Sequence, residues 1–210
     1  VNSVGGKIDI VDLSNPSAPV LLSSIDINLL GGINSIATHN GLVVAAIEGV
    51  NPQDLGKVYF FDTAGTILNN VTVGAMPDMI TFNKDFTKVL TANEGEPSAD
   101  YLNDPEGSVS IIDLTPGISA LTNANVTTAT FTSFNGQDSL LKAQGIRLFP
   151  QAASVAQDLE PEYIAISDDN TKAYVSIQEH NAMAVIDIAT GTVLELRALG
   201  LSDYSFGNAL

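Results

Sequence analysis

Residues 161–198, PEYIAISDDNTKAYVSIQEHNAMAVIDIATGTVLELRA, hold a strand, a turn, a second strand, a third strand ending at Asp187, another turn and a fourth strand. Apolar residues run through each short segment, and Asn, Asp, Gly or Thr cluster between them, which is the chemistry of antiparallel strands joined by tight turns. The unit recurs. Its strand–turn–strand half appears as INSIATHNGLVVAAIEG from Ile33 and PDMITFNKDFTKVLTANEG from Pro77. Its Asp-terminated strand appears as KIDIVD ending at Asp12, KVYFFD at Asp62, SVSIID at Asp113 and AMAVID at Asp187. The turns His39-Asn40-Gly41, Asn83-Lys84-Asp85 and Ser167-Asp168-Asp169-Asn170 have hairpin residues because Asn, Asp and Gly tolerate the dihedrals required.

A four-stranded repeat of about 40–50 residues is the sequence signature of a propeller blade, which buries its faces only against neighbouring blades. The expected fold is therefore all-β: an incomplete β-propeller forming one domain over residues 1–210, with a partial blade at 1–30 and full blades at 33–73, 75–133 and 158–199. Three blades and part of a fourth do not close a ring of about four to eight. The chain is then expected either to be a fragment whose remaining blades lie elsewhere or to be completed by another copy. Such an open arrangement exposes apolar faces and strand edges to a partner.

Two insertions interrupt the repeat. Residues 94–107 form an acidic loop between a second and a third strand, and residues 134–157 separate two blades. Within the latter, NGQDSLLKAQG offers an N-cap-like start, apolar Leu140 and Leu141, and a terminal Gly145, predicting one short helix, with a flexible linker as the alternative.

Composition narrows the function. Hydrophobic residues make up 45% and charged residues 15% of the 210, which suits a packed core. A net charge of −16 with only 8 Lys and Arg provides no basic face, arguing against nucleic acid and against an anionic membrane surface. No apolar run reaches the length of a membrane span, so direct membrane insertion is not expected. The opening VNSVGGKIDIVDL lacks a signal-peptide layout, as expected of a mature or excised segment. Cysteine is absent, excluding thiolate chemistry and disulfides within this chain.

Aligned repeats place Asn34, Asp78 and Glu162 at one position near the start of the innermost strand, and Glu48, Glu94 and Gln178 at the end of the next. These strand ends can face one end of a central channel, where clustered oxygen ligands favour a hard cation such as calcium. The metal candidates are Asp78, Glu94, Glu96, Glu160 and Glu162. Asn93, Asp100, Asp104, Gln178 and Glu179 are secondary ligand or substrate candidates. The competing reading is a set of solvated acidic loops. Asp12, Asp62, Asp113 and Asp187 recur in every unit and read as turn caps. His39 lies in a hairpin turn, and His180 follows a strand end from which it could reach the channel. No nucleophile elbow, HExxH, P-loop or dinucleotide motif is present.

The segments LTANEGEPSADYLNDPEGSVSIIDL and FNGQDSLLKAQGIRLFPQAASVAQDLEPEYIAISDDNTKAYVSIQEHNAMAVIDIATGTV, in this order, resemble the bacterial choice-of-anchor I domain family, with similarity from the first repeat to the closing GLSDYS. The resemblance implies secreted or surface-attached propeller-like proteins with interchangeable anchoring tails, some described as alkaline phosphatases, and a family domain longer than this chain. It points to Asn93, Glu94 and Glu96 of NEGE and to Glu160 and Glu162 of LEPEY. Two functions follow as expectations. One is an extracellular or cell-surface binding or adhesion module stabilised by calcium, with a glycan or surface protein as partner. The other is a calcium-dependent phosphomonoesterase whose metal-activated water attacks a phosphate ester.

Overall fold

The computed structural model describes residues 1–149 and 153–200, so part of the 134–157 insertion and the closing GLSDYS motif beyond Gly200 lie outside the described residues. A two-stranded sheet, β1 (Lys7–Asp12) and β2 (Val20–Asp26), is followed by three four-stranded antiparallel sheets. The first contains β3 (Ile33–His39), β4 (Leu42–Ile47), β5 (Leu55–Asp62) and β6 (Ile67–Ala75). The second contains β7 (Pro77–Phe82), β8 (Lys88–Asn93), β9 (Ser108–Asp113) and β10 (Val126–Thr130). The third contains β11 (Pro161–Ile166), β12 (Lys172–Ile177), β13 (Ala182–Asp187) and β14 (Thr192–Ala198). In each of the three, strands pair in chain order, as in a propeller blade. By position in the repeat, β1 and β2 correspond to the third and fourth strands of a blade.

The apolar runs are explained by sheets that are covered on both faces. Along β5, Val58 and Phe60 enter the core shared with the second four-stranded sheet, whereas Tyr59 and Phe61 enter the core shared with β1 and β2. Alternation with period two therefore sends consecutive apolar residues into different cores. Phe60 and Phe61 are both completely or almost completely buried, each stabilising the fold by about 1.5–3 kcal/mol. Leu90 and Ala92 of β8 face the third four-stranded sheet while Val89 faces the first, so the same logic continues along the chain.

Successive sheets meet through the first strand of the later one, β7 lying against β3 and β4, and β11 against β7 and β8. A glycine at the start of a third strand or just before it makes this approach possible. A Cβ at Gly56 would lie 2.5 Å from Cδ of Pro77, the residue opening β7, and one at Gly107 would lie 2.7 Å from Cδ of Pro161, the residue opening β11. The hairpin between β3 and β4 turns on Asn40 and Gly41, with φ of 46° and 79°, the two positive angles of a type I′ turn.

The insertion holds more helix than the single segment expected: α1 (Asp138–Ala143), α2 (Val155–Asp158) and a short 3-10 turn before them. Helix α1 begins without a side-chain cap, and only Leu141 of the Leu140–Leu141 pair is buried. Its end follows expectation. Gly145, at φ 95°, donates to the Lys142 carbonyl and Ile146 donates to the Leu141 carbonyl, with Leu141 and Ile146 both buried. The missed helix α2 is capped by Ser154, whose hydroxyl accepts from the Gln157 N–H while Gln157 returns to the Ser154 N–H.

Candidate functional site: a carboxylate-rich end

Antiparallel pairing fixes which loops share an end of the sheets. The hairpins after first and third strands emerge at one end; the loops after second strands and the links to the next first strands emerge at the other. The 94–107 loop and the 134–157 insertion therefore leave the sheets at the same end, together with Asp78 and Glu162, the second residues of β7 and β11.

At the opposite end the recurrent aspartates cap turns. Asp12 accepts from the Ser14 N–H at 2.8 Å, Asp62 from the Thr66 N–H at 2.8 Å, Asp113 from the Thr115 N–H at 3.1 Å and Asp187 from the Thr190 N–H at 2.9 Å. Backbone N–H donors favour the ionised form, so all four carboxyls sit below the usual range.

The inner carboxylates behave in the opposite way. Glu94 follows β8, where its N–H donates to the carbonyl of Met76 at 2.9 Å, and Met76 holds a left-handed φ of 48° that turns that carbonyl inward. Burial, then the charges of Asp78, Glu96, Glu160 and Glu162, push the Glu94 carboxyl up to about 8. Glu160, between α2 and β11, is pushed up to about 7 by burial, opposed by His180 and reinforced by Glu179, Glu96 and Asp158. Burial also raises Asp78, helped by Glu48, and raises Glu162, helped by Glu179 and Asp78. The five metal candidates therefore share one electrostatic neighbourhood. Glu48 joins it, with Asn34 Nδ2 donating to Glu48 Oε1 at 2.8 Å and to the Pro77 carbonyl at 3.3 Å.

The secondary candidates divide. Asn93 is fully buried and points between sheets, donating to Ser108 Oγ at 3.1 Å and Ser110 Oγ at 3.0 Å, away from Glu94. Asp100 caps its own exposed turn, accepting from Ser98 Oγ at 2.8 Å, and Gln178 is exposed. Asp104 and Glu179 instead reach a cavity of about 850 Å³ between the 94–107 loop and the segment ending at Glu160. Burial, then Asp158, raises the Asp104 carboxyl. Asp158 and Phe149 in this wall were not legible as site residues, because a lone Asp or Phe in a long insertion carries no pattern. His180 lies beneath the wall, 1% exposed, with Nε2 3.6 Å from Asp158 Oδ1.

As positioned, no three His, Asp or Glu side chains among the described residues converge on a single ion site. Beside this wall Arg147 is fixed, its Nε donating to the Glu179 carbonyl at 2.6 Å with its guanidinium 5.3 Å from the Phe149 ring.

Solved structures support the architecture. The Cps50 (Swd1) β-propeller domain of Myceliophteria thermophila matches with a TM-score of 0.56 at 10% identity, covering 94% of this chain and 55% of that one. A putative 6-phosphogluconolactonase from Bacteroides uniformis matches with a TM-score of 0.55 at 16% identity, covering 87% and 47%. A chain of the nidogen/laminin complex matches with a TM-score of 0.53 at 11% identity, covering 92% and 56%. The chain thus spans about half the length of the propellers it matches. At these identities the likeness concerns the fold alone. No curated protein matches the sequence. The model of the choice-of-anchor I domain, however, matches residues 2–210, and the chain belongs to that family.

Proposed function

We propose that this chain is part of a secreted or cell-surface propeller module that binds a ligand rather than transforming one, and that calcium stiffens its carboxylate-rich end. Membership of a family defined by its choice of anchors supports the surface placement. The observation that carries the calcium reading is the gathering of Asp78, Glu94, Glu96, Glu160 and Glu162, where burial and then repulsion from the other four push Glu94 up to about 8. A divalent cation relieves that repulsion and replaces the retained protons. Because the side chains do not already converge, calcium uptake requires some of these carboxylates to reorient. Phosphate-ester hydrolysis is less well supported, since this end presents negative charge to an anionic substrate.

Differential scanning calorimetry at pH 7.5, with and without about 1 mM calcium, tests the reading. Calcium is expected to raise Tm by mass action, and Glu94→Gln with Glu162→Gln to abolish the increment. An unchanged wild-type Tm, or an increment that survives both substitutions, overturns it. Assaying p-nitrophenyl phosphate in the same samples separates binding from hydrolysis: calcium-dependent turnover lost in the double variant would replace the module by the phosphatase.

A further inference from the structure

We infer that the peptide bond between Asp104 and Pro105 is a self-cleavage site, at which the Asp104 carboxyl attacks its own main-chain carbonyl and splits the chain into residues 1–104 and 105–210. The reaction needs neither calcium nor a bound ligand and is independent of the calcium reading. Asp-Pro occurs once in the sequence, in the 94–107 loop. An Asp side chain reaches its own carbonyl carbon through a five-membered ring, so the nucleophile is already tethered to its target.

This bond is held between two anchors. On its N-terminal side residues 98–103 close a turn, the Ser98 N–H donating to the Asn103 carbonyl at 2.8 Å and Tyr101 holding a left-handed φ of 57°. On its C-terminal side the Gly107 N–H donates to the Ala156 carbonyl at 3.0 Å. Between them Gln157 Nε2 donates to the Asp104 carbonyl at 2.8 Å. The capping box of α2 aims that donor, because Gln157 Oε1 accepts from the Ser154 N–H and from Ser154 Oγ, both at 3.0 Å. A fixed amide donor on the carbonyl under attack is positioned to stabilise an oxyanion. Asp104 Oδ1 is buried without a hydrogen-bond partner, so no donor has to be stripped from it before it attacks. Burial, then Asp158, raises the Asp104 carboxyl and favours retention of the proton that the reaction moves.

An Asp104 carboxyl oxygen forms a bond to the carbonyl carbon, the carbonyl oxygen gathers negative charge against Gln157, and the carboxyl proton passes to the Pro105 nitrogen. The C–N bond then breaks with its electron pair on that nitrogen, leaving a cyclic anhydride at Asp104 and a secondary amine at Pro105. Water opens the anhydride to two carboxyls. Pro105 has no N–H, so its nitrogen is tied into no hydrogen bond as it leaves. Because β8 and β9 stay paired from Lys88 with Asp113 to Asn93 with Ser108, the two pieces remain in one sheet and only the loop opens.

Intact-mass spectrometry of the purified chain over several days at pH 6, folded and in concentrated urea, is the test. The folded chain is expected to yield 1–104 and 105–210 about a hundredfold faster than the unfolded chain, the worth of one positioned oxyanion donor. Asp104→Ala should abolish cleavage. Gln157→Glu keeps an acceptor for the capping box but loses the donor, and should lower the folded rate to the unfolded one, with Tm recorded to show that the fold is kept. Hydroxylamine added to folded wild type should trap the anhydride as a hydroxamate on Asp104. A folded chain that stays intact, equal rates folded and unfolded, an undiminished rate in folded Gln157→Glu, or pieces without hydroxamate would overturn the inference. If Gln157→Glu does not fold, the two wild-type measurements decide. Failure here leaves the calcium increment of Tm intact, because Asp104 and Gln157 are outside the pair tested for it.

Discussion

The two ends of the sheets use the same functional group for opposite purposes. At one end Asp12, Asp62, Asp113 and Asp187 are surrounded by N–H donors, and each carboxyl lies below its ordinary range. At the other end Asp78, Glu94, Glu160 and Glu162 are partly buried and lie near other carboxylates, and each lies above it. A net charge of −16 therefore conceals two electrostatic populations. Donors at the first end are built into the chain, whereas among the described residues no Lys or Arg forms an ion pair with the carboxylates of the second.

Removing the support of the inner end should have the largest effect on this contrast. A Cβ at Gly107 would lie 2.0 Å from the Leu159 carbonyl, and the Gly107 N–H donates to the Ala156 carbonyl at 3.0 Å. Gly107→Ala is expected to force the acidic loop away from α2, at a cost of about 2–4 kcal/mol, seen as a fall in denaturation midpoint with unchanged slope. Methyl NMR should place the shifts around Leu159 and Val155 and leave residues around Asp62 undisturbed.

A smaller effect comes from the protons themselves. Glu94 has a folded pKa of about 8, above its unfolded value near 4.5, so the native state binds more protons between these limits. Stability in calcium-free buffer must therefore fall as pH rises from about 5 to about 8. Glu94→Gln reduces this slope, leaving the part that Glu160, raised to about 7, contributes with the same sign. At pH 8 it should stabilise the calcium-free chain by about 1–2 kcal/mol after discounting for solvent screening, raising Tm by about 3–6 °C. The same substitution reduces the gain from calcium, so the two Tm curves should cross as calcium is added. A wild-type Tm that is flat or rising with pH over this interval would remove the distinction between the ends.

The smallest effect belongs to the turn caps. Asp62→Ala removes acceptors for the Ala64 and Thr66 N–H groups, both in an exposed turn where water can replace them. A Tm fall of about 2 °C at pH 7 is expected, vanishing at pH 2–3 because a depressed aspartate stabilises only above its unfolded pKa and loses that contribution as pH falls through the folded value. Scans at the two pH values check this. A Tm fall that is undiminished at pH 2–3 would mean the Asp62 side chain acts by packing.

Much of this was legible in the residues. Asp-terminated strands at a fixed place in the repeat gave the blades, because a strand covered on both faces needs continuous apolar sequence and its turn needs a cap. Equivalent repeat positions also aligned Asp78 with Glu162, and Glu94 with Glu48, which the structure places at the same end of neighbouring sheets. Asn93 was misleading for a local reason: alternation along β8 turns it between sheets while Glu94, the next residue, turns away from that interface.

Local pattern thus determined the strands, the blades and the acidic character of one end, since these depend on periodicity and on residues close in the chain. Tertiary structure alone decided which carboxylates repel one another, that His180 is buried beneath Asp158, and that the 94–107 loop and the 134–157 insertion enclose a cavity. Those properties depend on burial and on distances between segments that are not neighbours in the chain, as in the 2.8 Å bond from Gln157 Nε2 to the Asp104 carbonyl, and no short-range pattern encodes them.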